Sequence, residues 1–531
     1  MTSYLSRLSP VPGFPEYTGP YKVGTIDVEI PVTELESPSP APVNHISTVQ
    51  YRIFYPCEPD ASGKPVSWIP NPQQGYISAY TRFLGAGSKL AEVISYFPRL
   101  IYYISIPVRK NAPLLPPITA NKRWPVMIFS HGLGGSRNAY SHLVGSIASH
   151  GMVVVAPEHR DGSTPISYIR DVPSNNSLSG KTSAKKSKRT IEYQKLSHTP
   201  SPEVEAGRNA QLRVRLWELG VIHDSILKLD LGTELTNLNT SSASLAPFKE
   251  KMDVHAAGKI TFAGHSFGAA TVAQFVKSTF YSPRNASAPK SYTPLFTPSS
   301  RSPILSQITP QTPLILLDVW CLPLRADATR WLWNLPFPCY CEGGPGGAAL
   351  LAVESQAFFK WRDHLKATKH LLSPNPSSDV YSFKNGTCPF PEPNFFYADT
   401  SAHLSQSDFG VLFPWITKRI FGSEEPERVM KLNVRAILQV LRRSGVEISE
   451  TSKEDMELVE TEGKETRDDK LILGKRGLRG WNWISTDVGD LGNVDDGEEV
   501  NGKRGEEMTE PCEAVIGNEV LTQKEGTKER L

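Results

Sequence analysis

Residues Lys259 to Ala270 read Lys259-Ile260-Thr261-Phe262-Ala263-Gly264-His265-Ser266-Phe267-Gly268-Ala269-Ala270. A short apolar strand runs into Gly-x-Ser-x-Gly, and small residues then open a helix. A turn this tight requires small neighbours, which Gly264 and Gly268 supply, and it lifts the Ser266 hydroxyl above a sheet edge as a nucleophile. The N–H of Phe267 and the helix N-terminus then face a developing oxyanion.

A serine nucleophile needs a base, and the base needs an orienting acid. After a strand–Ser–helix turn of this kind the acid and then the histidine follow in chain order. Leu314-Ile315-Leu316-Leu317-Asp318 offers four apolar residues and then a carboxylate at a strand's C-terminal end, where catalytic groups gather. Asp318 is the candidate acid, and Glu354, which ends the next apolar run, is its rival. Three histidines follow. His364 and His370 sit in a helical pattern spanning Gln356 to Leu372 and read as surface or packing residues. His403 follows an aromatic segment, Phe395-Phe396-Tyr397, and precedes an apolar helix from Phe409 to Phe421. That loop position selects His403 as the base. The second oxyanion donor is expected from Phe129-Ser130-His131-Gly132-Leu133-Gly134-Gly135, where glycines let backbone approach substrate. Leu133 N–H is the candidate partner of Phe267 N–H, and His131 is read as holding the loop.

The elements that must position these groups are visible as hydrophobic pattern. Ile26, Val28 and Ile30 alternate, as do Val49, Tyr51 and Ile53, giving an antiparallel start. Continuous apolar runs at Val126–Phe129, Met152–Val155, Ile260–Ala263, Leu314–Leu317 and Ala349–Val353 fit central parallel strands. Helical faces lie between them, for example Leu212, Leu216, Leu219 and Ile226. The class is α/β: an α/β-hydrolase fold with a mostly parallel sheet, flanking helices and antiparallel N-terminal strands. The catalytic domain is placed at 10–445, with flexible inserts at about 171–208, 281–311 and 335–347. Residues 446–531, rich in Glu, Asp, Lys and Gly, read as a disordered tail; Trp481 and Trp483 stand out within it.

Composition narrows the options. The 531 residues are 39% apolar, enough for a sizeable core, and a net charge of +2 gives no electrostatic case for nucleic acid. Six scattered cysteines make no disulfide framework, and Cys339-x-Cys341 is too sparse for a metal site, so unpaired thiols in a reducing compartment are expected. No secretory signal or spanning apolar stretch is read, so a cytoplasmic protein is expected.

Five stretches resemble the plasma and type II platelet-activating factor acetylhydrolases, a lipase-like branch of the α/β-hydrolases. They are Phe129 to Gly134, Pro157-Glu158-His159-Arg160-Asp161, Gly264 to Thr271, Leu317-Asp318-Val319-Trp320-Cys321-Leu322-Pro323 and, more weakly, Ser401 to Phe409. Arg208 to Arg215 is also similar to a family helix. The resemblance spans roughly residues 10 to 445. It implies Ser266, Asp318 and His403 as the triad, and Leu133 and Phe267 as oxyanion donors. It implies a metal-free, cofactor-free phospholipase A2-type esterase that cuts an sn-2 acetyl or short oxidised acyl chain. The gaps from Ser266 to Asp318 and on to His403 look longer than in the animal enzymes, which leaves room for a reshaped acyl pocket. An aromatic-rich segment, 89–106, is the candidate for peripheral membrane contact, beside a lid or core role. Phe409, Leu412, Phe413 and Trp415 offer a second. A broader carboxylesterase, lipase or polyester-hydrolase-like enzyme is the alternative, and an inactive hydrolase-like scaffold the alternative of another class.

Overall fold

The computed structural model describes residues 11–43, 45–85, 99–172, 188–377, 390–456, 469–475 and 478–487. Ten strands form one sheet: β1 (Lys22–Pro31), β2 (Thr48–Cys57), β3 (Arg109–Lys110), β4 (Val126–Ser130), β5 (Val153–Pro157), β6 (Thr261–His265), β7 (Leu314–Leu317), β8 (Leu350–Ser355), β9 (Asn394–Ala398) and β10 (Trp481–Trp483). Their spatial order is β10-β9-β8-β7-β6-β4-β5-β2-β1-β3. The run from β5 through β4, β6, β7 and β8 to β9 is parallel throughout. β1 and β2 pair antiparallel, and β2 joins β5 antiparallel. The expected antiparallel start and parallel centre are therefore both present.

Central strands are continuous apolar runs because both faces of the sheet are covered. Val126, Ile128, Phe262, Leu314 and Leu316 point into one core layer with helix α3 (Pro202–Leu231) and helix α4 (Phe267–Tyr281). Met127, Phe129, Ala263, Ile315 and Leu317 point into the other, with α2 (Ser141–Ser149) and α9 (Pro426–Arg443). Helix α1 (Gln73–Phe83) lies before the central strands in the chain.

Several boundaries differ from expectation. Gln356 to Leu372 is two helices, α5 (Gln356–Lys360) and α6 (Arg362–Leu372), which share Trp361 at their junction. Phe409 to Phe421 is also two, α7 (Asp408–Leu412) and α8 (Pro414–Phe421), because Pro414 lacks the N–H that would continue the first. The inserts carry packed structure. Lys188–Glu192 pairs antiparallel with Ile166–Arg170, and α3 begins inside the first insert, capped by Ser201. Leu295 and Phe296 of the second insert and Phe337, Cys339 and Tyr340 of the third are buried. Residues 173–187 of the first insert lie outside the described residues.

The tail corrects the expected boundary at 445. Ile472, Leu478, Trp481 and Ile484 are buried, Trp481 stacks on Phe396, and β10 pairs antiparallel with β9. Asp469 meets both Arg435 and Arg442 of α9. Composition misleads here because a strand pairs through its backbone, and four well-placed apolar residues anchor it. Among the described residues, packed ones thus reach as far as Thr486. Most of the segment 89–106 lies outside the described residues; in its remainder Leu100 and Tyr103 are exposed, while Ile104 and Ile106 are buried.

Candidate active site

Ser266 sits between β6 and α4 with φ 57° and ψ −122°, a conformation L-residues rarely adopt. Neighbouring glycines make it possible. A Cβ on Gly264 would fall 2.5 Å from the Gly268 backbone, and one on Gly268 would fall 2.0 Å from Ser130 O. Strain of this kind costs about 1–3 kcal/mol and persists only where surrounding packing enforces it. Here Ser266 N–H donates to Leu317 O at 2.9 Å, and Ser266 O accepts from Ala270 N at 3.1 Å and Trp320 N at 3.3 Å.

Asp318 directly follows β7, the strand beside β6, and is fully buried with φ 41°. Its Oδ1 accepts from Ser355 N at 2.5 Å, and its Oδ2 accepts from His403 Nδ1 at 2.8 Å. His403 opens a 3-10 turn after β9. Its ring stacks on Phe358 with centroids 4.6 Å apart and planes 6° apart, and lies 4.3 Å from the His265 ring, next to Ser266 in the chain. Ser266, Asp318 and His403 are thus brought together at the carboxyl ends of the strands. Among the described residues no hydrogen bond closes between Ser266 Oγ and His403; such bonds commonly tighten only around substrate.

The rivals are placed elsewhere. His364 is buried and accepts from Cys321 N at 3.1 Å, and His370 stacks on Trp333. Burial, with Asp318 beside it, pushes the Glu354 carboxyl well above the usual carboxylate range; His403 bonds Asp318 instead. His265, Asp318 and His403 also bring one donor atom each within 4.8 Å, a spacing that follows from the Asp318–His403 bond and the His265–His403 ring contact.

Gly132 presses against Ser266: a Cβ there would fall 2.9 Å from Ser266 Cβ. Gly132 N donates to Tyr140 Oη, Gly134 N to Ser163 O and Gly135 N to Gly132 O. The intervening Leu133 N–H, like Phe267 N–H, finds no acceptor among the described residues. His131 is a structural group, as read from sequence. His159 N–H donates to its Nε2, so Nδ1 carries the proton and donates to Gly132 O. Burial and nearby Arg215 lower its pKa to about 3.

Sequence reasoning missed what holds this loop. Arg215 of α3 is fully buried. It donates to Asp161 Oδ2 at 2.6 Å, His131 O at 2.8 Å and Ser163 Oγ at 2.5 Å, and its guanidinium lies 4.4 Å from the Phe267 ring centroid. Glu218, one helical turn on, accepts from Arg160 N and bonds His159 Nδ1, while His159 Nε2 reaches Ser130 Oγ at 2.8 Å. Burial and Asp161 raise Glu218 to about 8, and burial and Arg215 hold His159 well below its usual value, so both are neutral at pH 7. The stretches Pro157–Asp161 and Arg208–Arg215 were visible as motifs, but nothing in sequence joins them.

A nucleophile elbow, an acid–histidine pair and two open N–H groups on this sheet define an α/β-hydrolase. The sequence matches the family "Platelet-activating factor acetylhydrolase, isoform II" over residues 8–465, and the chain belongs to that family. It is therefore a carboxylic ester hydrolase. It is 28% identical over 463 residues to a putative phospholipase A2 of Schizosaccharomyces pombe, covering 82% of this chain and 92% of that one. It is 31% identical over 262 residues to the platelet-activating factor acetylhydrolase of Cavia porcellus, covering 49% of this chain and 51% of that one. Among solved structures, a ferulic acid esterase from Streptomyces cinnamoneus aligns with TM-score 0.44 at 13% identity, over 81% of this chain and 92% of that one.

Proposed function

We propose that the protein hydrolyses the sn-2 acetyl or short oxidised acyl ester of phospholipids through an acyl-Ser266 intermediate. The observation that carries this reading is the 2.8 Å Asp318–His403 hydrogen bond, set one strand from the strained Ser266. Asp318 fixes the tautomer by accepting from Nδ1, which leaves Nε2 to take the Ser266 proton as Oγ attacks the carbonyl. Leu133 and Phe267 N–H groups hold the oxyanion, each worth about 3 kcal/mol. The lysophospholipid alcohol leaves with the proton from His403. Water, deprotonated by His403, then cleaves the acyl-serine. No step calls for a metal.

Lipid esters lie in membranes, and the reading includes peripheral contact through 89–106. Exposed Leu100 and Tyr103, and Trp415 at 68% exposure on the helix after His403, support an apolar docking face. No described helix is long and apolar enough to cross a membrane. A cytoplasmic location belongs to the same reading, and free thiols at Cys57, Cys321, Cys339 and Cys341 support it.

The test is release of acetate from an sn-2 acetyl phospholipid against release of fatty acid from a long-chain analogue, with chelator present and Ser266→Ala as control. Fast acetate release lost in the variant is the expected result. Equal activity on long chains or on soluble esters alone would favour the broader carboxylesterase, and no activity on any ester the inactive scaffold.

A further inference from the structure

We infer that the segment Tyr193–His198, supplied by the first insert, walls the acyl side of the site and limits acyl-chain length. This rests on the esterase reading above. The segment runs across the carboxyl end of the sheet from the oxyanion loop to the acid loop, and three contacts fix its path. Gln194 N–H donates to Gly162 O at 2.7 Å, next to Ser163, whose carbonyl accepts from Gly134. Leu196 O accepts from Arg208 Nη2 at 3.3 Å, and Leu196 packs so closely on Gly207 that an added Cβ there would fall 2.7 Å from it. The His198 ring lies 5.4 Å from the ring of Trp320, a residue whose backbone N–H donates to Ser266 O.

At its other end Tyr193 meets Phe83 edge to face, centroids 4.8 Å apart. Phe83, the last residue of α1, covers Gly134 so closely that a Cβ on that glycine would fall 2.4 Å from its ring. Gly134 follows Leu133, one of the two oxyanion donors proposed above. The Phe83–Tyr193 pair therefore stands beside the oxyanion position, whereas His403 contacts Asp318, Phe358 and His265.

Chemistry decides which part of the substrate meets this wall. The alcohol must take its proton from His403, so it departs on the His403 side. The acyl group then extends the other way, past the oxyanion loop and toward Phe83 and Tyr193. A rigid aromatic pair there accepts a methyl or short chain and blocks a long one. Excluding surplus methylenes from such a pocket discriminates by about 10- to 200-fold.

The test varies the acyl group alone, using p-nitrophenyl acetate and p-nitrophenyl octanoate on full-length wild type, Tyr193→Ala and Tyr193→Phe. Thermal melts verify that each variant is folded. Wild type is expected to favour acetate in kcat/KM. Tyr193→Ala is expected to lower the acetate-to-octanoate ratio by about tenfold or more, and Tyr193→Phe, which keeps the ring, to preserve it. A folded Tyr193→Ala with the wild-type ratio, or a wild type without short-chain preference, would overturn the inference while leaving the esterase reading intact. Wild-type inactivity on both esters would overturn the esterase reading and this inference with it.

Discussion

On the oxyanion-loop flank of Ser266, buried charge and buried hydrogen bonds fix the backbone: Arg215 alone joins Asp161, Ser163, His131 and the Phe267 ring. On the histidine flank, His403 is held by one carboxylate, the rings of Phe358 and His265 and a short 3-10 turn. On the function proposed above the first flank presents a backbone N–H at a fixed point, and it is cross-braced from three elements distant in sequence. On the same proposed function the second accepts and returns a proton, and its imidazole keeps one anchored nitrogen and a stacking face. On that reading the bracing is concentrated where an oxyanion would be met.

Four substitutions break or sharpen this contrast. Asp318→Asn should lower kcat by about 10⁴-fold with the fold retained, because the amide favours the wrong His403 tautomer; steady-state assay with a circular dichroism control measures it. Arg215→Met leaves Asp161 buried without its partner and should cost about 3–5 kcal/mol of stability, read as the shift of a denaturant midpoint. Activity should fall with it as the oxyanion loop loses its brace, and a variant as stable as wild type would show that the brace is not needed.

Glu218→Gln tests the neutral state assigned to that flank. Glu218 is raised to about 8 when folded, against an ordinary carboxylate value in the unfolded chain. Between these two values the folded state holds the proton and the unfolded state does not, so wild-type stability should fall by about 1.4 kcal/mol per pH unit on this account. The glutamine variant has no such proton, so its stability relative to wild type should rise from pH 5 to pH 8. A constant difference across that range would refute the neutral assignment. The smallest effect is expected on the other flank. Phe358→Ala removes one stacking face, worth about 0.5–1.5 kcal/mol, and should slow turnover by up to about tenfold with little change in melting temperature.

How far each flank could be read from sequence follows the same division. Ser266, Asp318 and His403 each sit at a strand end or in a loop that hydrophobic runs locate, and their chain order orders their roles. The glycines around Leu133 announced a backbone that something approaches closely. Arg215 was visible only as the end of a motif, and its bracing role was not, because an arginine in a helical pattern looks like a solvated face until its partners 50 or more residues away arrive. Phe358 was hidden inside what read as one helix, which the structure divides at Trp361. The tail strand was hidden by its surroundings, since four apolar residues among many charges do not resemble a strand in composition.

That strand has a practical consequence. β9 carries the chain toward His403, and without β10 its outer edge would present unpaired N–H and C=O groups beside Phe396 and Trp481's vacated place. An open edge of this kind templates association between molecules. A polypeptide ended at residue 445 would therefore be expected to gather into oligomers or precipitate, and its loss of activity would reflect stickiness of the sheet rather than damage to the chemistry.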